Sequence, residues 1–293
     1  MLYDITLKIT YAYETAAESG RHQLCLMPAD LPGEQRVIAS SLTVDPSPTE
    51  QTWHTDFFGN SWADIGYDGA VKRTEFKVRS RIERFDPDEL FDVSPDMDGI
   101  ERQLDTLTSV QPLSPHHFRW TSERIHRHGP LAAWAAERTA GASSAYRIAE
   151  TLSNALHEEW TFDSQATMVD TPIEEAFELK RGVCQDFAHL AISALRSLGI
   201  PAGYVSGYLR TIPPKGQARL EGADAMHAWI MAWCGTDMGW VELDPTNATR
   251  AGADHIVIAR GRDYADVAPV RGALRTSGKQ RTSQAVDVVE IAD

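Results

Sequence analysis

Cysteine is scarce in this chain: three in 293 residues, Cys25, Cys184 and Cys234, far apart. That excludes a disulfide framework and a zinc site built from paired cysteines. It points to a reducing, cytoplasmic setting in which a thiol stays available for chemistry. Basic charge is short as well. Lysine and arginine number 28 against 42 acids, a formal net charge of −14. With no basic excess to neutralise phosphates, nucleic acid is excluded as a partner. No apolar run approaches the roughly 18 residues that a membrane-spanning helix needs, so no membrane contact is expected. The opening MLYDITLKITYAYE has no basic segment followed by an unbroken apolar stretch, so no secretory signal is expected either. No internal repeat is present.

Hydrophobic residues make up 42% of the chain, enough for one large domain or two ordinary ones. The first third reads as β. Tyr3, Ile5, Leu7, Ile9 and Tyr11 alternate with polar residues, and the period-2 pattern returns at Thr74, Phe76, Val78, Ser80 and Ile82. A weaker strand lies at Ile38–Val44, and Gly59-Asn60 reads as a turn. Residues 1–84 are therefore expected to be an antiparallel, β-sandwich-like domain. The proline- and acid-rich stretch 85–117 shows no sustained period and reads as an irregular connector, which leaves 118–293 for the main core.

Helices follow. Ser143 or Ser144 can cap a helix whose apolar face is Ala145, Ile148, Ala149, Leu152, Leu156 and Trp160. Thr171-Pro172-Ile173-Glu174 has the form of a capping box, with a stop near Arg181-Gly182. Phe187, Leu190, Ala191, Ala194, Leu195 and Leu198 then recur at helical spacing until Gly199 and Pro201. Strands are expected around 202–210, 226–234, 239–244, 255–260 and 285–292. The fold class is α+β.

Cys184 falls on the first turn of the helix that ends at Leu198. Unpaired N–H groups and the positive end of the helix dipole stabilise an anion at that position, and the same amides can donate to an oxyanion beside the sulfur. Gly182 leaves room there for a tight turn and a substrate carbonyl. The ordinary role of a lone cysteine is a small buried hydrophobe. Cys25 and Cys234 fit that role; Cys184 needs partners to escape it.

Those partners lie in AMHAWIMAW (225–233) and GWVELDPTN (239–247), two alternating aromatic-rich runs that read as a hairpin. With Gly235-Thr236 as a two-residue turn, His227 faces Asp244 directly, the carboxylate accepts from Nδ1–H, and Nε2 is left for a thiol. Taken singly, His227 is an ordinary strand histidine and Asp244 a turn-starting residue before Pro245. Together with Cys184 they meet the rule for a cysteine nucleophile with distant His and Asp partners.

The runs RGVCQDFAHL, HAWIMAW and WVELDPTN resemble the core of bacterial transglutaminase-like proteins, relatives of papain-type cysteine proteases. The stretch 255–272 resembles the segment after that core, and the β-rich start, with RHQLCLMP and DFFGN, resembles the β domain before it. The resemblance implies a helix bearing Cys184 against an antiparallel sheet that carries His227 and Asp244. It implies Cys184 as nucleophile, His227 as proton shuttle and Asp244 as orienting carboxylate. The Cys184 N–H is one oxyanion donor, Gln165 and Trp160 are candidates for a second, and Trp229 is a candidate cleft wall. The expected reaction is acyl transfer from a peptide or protein amide, resolved by water. Resolution by an amine, as in a true transglutaminase, is the alternative, and a non-catalytic scaffold or peptide-binding module is another. Nothing in the sequence demands a cofactor. The pairs His116/His117 and His126/His128 invite a metal reading but have no third ligand at matching spacing, so no metal is expected. His189, Asp186, Arg262, Asp263 and Tyr264 read as structural.

Overall fold

A computed structural model describes residues 1–87, 89–212, 222, 224–274 and 278–291. The β-patterned first third forms six strands: β1 (Leu2–Ala17), β2 (Gly20–Leu24), β3 (Gln35–Asp45), β4 (Glu50–Thr55), β5 (Ser61–Tyr67) and β6 (Val71–Arg84). Tyr3, Ile5, Leu7 and Ile9 of β1 are buried while Lys8 is exposed, so the alternation is an inside–outside pattern. β6 buries Thr74, Phe76, Val78, Ser80 and Ile82 and pairs antiparallel with β1, Leu7 opposite Val78. Each large apolar side chain buried in this way contributes about 1.5–3 kcal/mol. β3 is an edge strand exposed along most of its length, which is why its alternation is faint.

The stretch 85–117 departs from the irregular connector expected of it. Helix α1 (Met97–Thr106) forms there because Asp96 accepts from the Gly99 N–H at 2.8 Å and Ile100 and Leu104 bury one face. Two buried apolar positions are too few to register as a period. Pro115–Phe118 makes a single 3-10 turn, and helix α2 (Gly129–Arg138) follows. Helix α3 (Ala145–Glu159) starts at Ser144, whose Oγ accepts from the Arg147 N–H, and it buries the predicted face.

The next elements are β7 (Thr161–Phe162), α4 (Ile173–Leu179), β8 (Arg181–Gly182) and α5 (Cys184–Ser197). The capping box at Thr171 does not form. Thr171 Oγ1 accepts from the Met168 N–H, Pro172 holds the cap position, and Lys180 at φ +50° makes the left-handed exit in place of a glycine.

A five-stranded antiparallel sheet carries the rest of the core: β9 (Ala202–Leu209), β10 (Ala225–Trp233), β11 (Trp240–Asp244), β12 (Thr249–Arg250) and β13 (His255–Gly261), in the order β12-β11-β10-β9-β13. Helix α5 buries Phe187, Leu190, Ala191, Ala194 and Leu195 against it, so the architecture is the expected α+β arrangement. After the short helix α6 (Tyr264–Val267) the chain leaves this core. Strand β14 (Val270–Leu274) pairs with β2, and β15 (Gln280–Ile291) pairs with β1, Leu7 opposite Val286. Position 292 of the expected last strand lies outside the described residues. By strand pairing the chain's end completes the two N-terminal sheets, β15-β1-β6-β3 and β14-β2-β5-β4, and does not extend the 118–293 core. Val286 and Val288 drive this, since both are buried in the hydrophobic cluster that β1 and β6 share. Among the described residues no helix is long and apolar enough to cross a membrane.

Strand β13 is an edge whose outward main-chain groups need partners. Two side chains from the N-terminal region supply them. Gln35 accepts from the Val257 N–H at 2.9 Å and donates to the Val257 carbonyl at 2.8 Å, and Asn60 does the same for Arg260 at 2.9 and 2.8 Å. Arg260 also pairs with Glu242 and Glu34. Asn60→Ala leaves a buried N–H and a buried carbonyl unmet, and we expect it to cost about 2–4 kcal/mol. Chemical denaturation checks this; a loss below 0.5 kcal/mol, roughly that of a neutral surface change, refutes the pairing.

Candidate functional site

Helix α5 opens at Cys184 behind Val183, whose extended backbone (φ −100°, ψ 174°) turns the chain into the helix. Asp186 folds back over that turn, its Oδ2 accepting from the Val183 N–H at 2.8 Å and from Thr167 Oγ1 at 2.6 Å. This explains Gly182 differently from the room for a substrate carbonyl that was expected. A Cβ at Gly182 would stand 2.4 Å from Asp186 Oδ2, so the glycine makes way for the carboxylate. Gly182→Ala should destabilise the protein by about 1–3 kcal/mol through this overlap, read as a lowered melting temperature; an unchanged melt would contradict it.

The segment after α3 is fastened to the same turn. Phe162 pairs with Gly182, the Asp163 N–H donates to the Gly182 carbonyl at 2.9 Å, and Gln185 Nε2 donates to the Val169 carbonyl at 2.8 Å. Residues 161–171 thus form a strap beside Cys184. Cys184 is the partly exposed cysteine of the three. Cys25 and Cys234 are fully buried, and burial pushes both thiols up to about 12. Those two cysteines are packing residues.

The β10–β11 hairpin differs from the expected register. Its loop is Gly235–Met238, so Trp233 faces Trp240 and Ile230 faces Leu243, a shift of two residues. An even shift keeps every side chain on its face. His227 and Asp244 are therefore diagonal neighbours, not direct opposites, and the imidazole spans the difference: Nε2 lies 2.7 Å from Asp244 Oδ2. This also reverses the expected use of the ring. Asp244 takes Nε2, which leaves Nδ1 outside that bond, and Cys184 lies near enough to His227 to act on it electrostatically.

Asp244 is completely buried, with each oxygen holding a separate set of donors. Oδ1 accepts from the N–H groups of Thr246 (2.9 Å) and Asn247 (3.3 Å), the turn-starting role that a lone Asp before proline suggests. Oδ2 accepts from His227, from Asn247 Nδ2 at 2.7 Å and from His255 Nε2 at 3.2 Å. Burial favours the neutral acid, but these bonds outweigh it and hold the carboxyl well below its usual range. Burial likewise opposes a charged His227; its bonds and charge interactions with Asp244 and Cys184 prevail and raise it to about 10.

His255 was not flagged by the sequence. Its Nδ1 accepts from the Gly252 N–H at 3.2 Å, so its proton sits on Nε2 and points at Asp244. Ligand atoms of His227, Asp244 and His255 lie within 4.8 Å of one another, a spacing that suits a cation. The shared carboxylate oxygen, however, already accepts three N–H donors, an arrangement for an anion and not for a metal.

The remaining candidates separate. The Trp160 indole N–H donates to the Ala176 carbonyl at 3.2 Å and its ring is buried against Trp134 and Phe177, so its donor is engaged in the core. Gln165 is exposed on the strap, its own N–H bonded to Asp163 Oδ1. Trp229 stacks on His227 with centroids 6.1 Å apart, but it is fully buried, donates to Glu242 and lies over Gly207, where a Cβ would come within 2.2 Å of its ring. It backs His227 from the core and does not wall a cleft. His189 is buried and accepts from the Tyr264 N–H; burial pushes its imidazole down to about 4, leaving it neutral and structural. His116 and His117 bond the carbonyls of Leu107 and Val110.

Known proteins resemble this chain along nearly its whole length. Residues 132–245 match the transglutaminase-like superfamily, and residues 3–83 match the bacterial transglutaminase-like N-terminal region. An uncharacterized protein of Mycobacterium tuberculosis is 32% identical over 301 residues, 98% of this chain and 92% of its own length. One from Mycobacterium leprae, also uncharacterized, is 44% identical over 122 residues, 40% of this chain and 41% of its own. A solved structure of a candidate cysteine protease from Cytophaga hutchinsonii shares the fold at a TM-score of 0.76 and 20% identity, over 100% of this chain and 91% of that one.

Proposed function

The chain belongs to the bacterial transglutaminase-like proteins, and from that premise we propose that it transfers acyl groups through a thioester on Cys184, with hydrolysis of a peptide or protein amide as the net reaction. One observation carries the reading: the buried His227 imidazole is held by Asp244 at 2.7 Å while the partly exposed Cys184, at the start of α5, acts on the same ring.

The steps follow from that arrangement. The Cys184 thiolate attacks the amide carbon, and the carbonyl electrons move to oxygen. The Cys184 N–H at the start of α5 donates to that oxyanion. Gln165 remains the side-chain candidate for a second donor, since the Trp160 N–H is engaged elsewhere. His227 passes its Nδ1 proton to the leaving nitrogen as the C–N bond breaks. The neutral ring then takes a proton from water as it attacks the thioester, releasing acid and thiol. Asp244 holds the ring and offsets its charge throughout. Partial exposure of Cys184 favours water as the second nucleophile. A cytoplasmic setting belongs to the same proposal, because it keeps the three unpaired thiols reduced.

The test is release of p-nitroaniline from a peptide anilide panel, with and without added putrescine, followed by intact-mass analysis. Cys184-dependent release and an acyl adduct on Cys184 support the reading. Products carrying putrescine identify aminolysis as the net reaction. If no member of the panel gives Cys184-dependent release or an adduct, the alternative of a non-catalytic peptide-binding scaffold takes its place.

A further inference from the structure

A cavity of about 570 Å³ lies at the other end of helix α5, lined by its last-turn residues Ser193, Arg196 and Ser197. Fourteen residues at 1.5 Å each place it about 20 Å from Cys184. It is lined on the remaining sides by residues 119–121, 125–129 and 132. Its charge is the opposite of the chain's. The lining holds Arg119, Arg127, Arg196, His126 and His128 and no carboxylate, in a protein of formal net charge −14.

Three further observations point the same way. First, Arg196 is a fixed cation: all five of its N–H groups go to the carbonyls of Ala202, Trp120 and Arg262 and to Ser122 Oγ, none to an acid. Asp263, which acts on it electrostatically, spends its oxygens on the N–H groups of Arg124 and Ala265. Second, Arg119 and Arg127 form no carboxylate ion pair among the described residues, and the Arg119 guanidinium sits 5.3 Å over the ring of Trp120, which is 61% exposed. Third, the ten-residue helix α2 begins at the cavity with Gly129 and has no side-chain cap. The uncapped start of α2 and the guanidinium groups of Arg119 and Arg127, which have no carboxylate ion pair among the described residues, border one space.

We propose that this cavity binds a small organic anion, a phosphate or carboxylate with a flat apolar body that rests on Trp120. Arg119 and Arg127 grip the anionic group, Arg196 supplies fixed charge behind it, and the Gly129 N–H at the start of α2 donates to it. The proposal is independent of the chemistry at Cys184.

Calorimetric titration of the full chain at low salt tests it, with phenyl phosphate, benzoate and inorganic phosphate as probes. One site per chain is expected, with phenyl phosphate or benzoate binding more tightly than inorganic phosphate; which of the two binds better tells a phosphate site from a carboxylate site. Arg119→Ala/Arg127→Ala should weaken binding at least tenfold, and Trp120→Ala should erase the advantage of the aromatic probe. Alkylation of Cys184 should keep its wild-type rate in both variants, which also reports that they are folded. Saturable binding by none of the probes, or affinities unchanged in the folded double-arginine variant, overturns the proposal.

Discussion

Asp244→Asn should lower turnover by roughly 10³- to 10⁴-fold, the scale seen when the orienting carboxylate of a Ser-His-Asp triad is replaced. Two effects combine. An amide in place of Oδ2 sets an NH2 group against His227, His255 and Asn247, all of which now donate to that position. The negative charge that keeps His227 protonated is also lost. His227 is held up to about 10, above the ordinary imidazole value near 6.5. Its charged form therefore adds stability that is fully present below pH ~6.5 and is lost as pH rises toward 10. Asp244 acts in the opposite sense: its depressed carboxyl adds stability above pH ~3.9 that is lost in acid. The wild-type pH–rate profile should keep its alkaline limb near pH 10, and in Asp244→Asn that limb should move down toward the ordinary imidazole range. Rate profiles of both proteins on one substrate decide this. A limb at the same pH in both would show that Asp244 does not set the charge of His227.

Cys184→Ala should abolish turnover, leaving only the uncatalysed background, with the fold retained because the side chain is small and partly exposed. Labelling isolates the same residue without a substrate. At neutral pH iodoacetamide should add one label per chain, on Cys184, since Cys25 and Cys234 combine complete burial with thiols raised to about 12. His227→Ala should slow that labelling by about tenfold or more by removing the imidazole beside the sulfur. Comparable labelling of all three cysteines would contradict the burial on which this selectivity depends.

Legibility in the sequence followed the strength of local pattern. Strands β1 and β6 and helices α3 and α5 were readable because one face of each is continuously buried. Helices α1 and α2 were not. Each has ten residues, and neither buries more than three. Their ends are set by Asp96 in one case and an uncapped His128 in the other, signals too local to stand out. The even register shift in the hairpin shows what a pattern conserves: His227 and Asp244 kept a common face although the pairing moved by two. Which imidazole nitrogen meets the carboxylate lay beyond any pattern, because it depends on the diagonal reach of one ring.

By itself the sequence determined the family, through its resemblance, as well as the α+β class, the helix start at Cys184 and the common face of His227 and Asp244, since helix starts, strand faces and hairpins are short-range consequences of residue order. Tertiary structure alone decided that His255 adds a donor to Asp244, that Gln35 and Asn60 satisfy the edge of β13, and that the last strands return to complete the N-terminal sheets. The physical reason is that hydrogen bonds and strand edges are satisfied by whatever lies nearest in space, and for these groups the nearest partner comes from another turn, another strand or the far end of the chain.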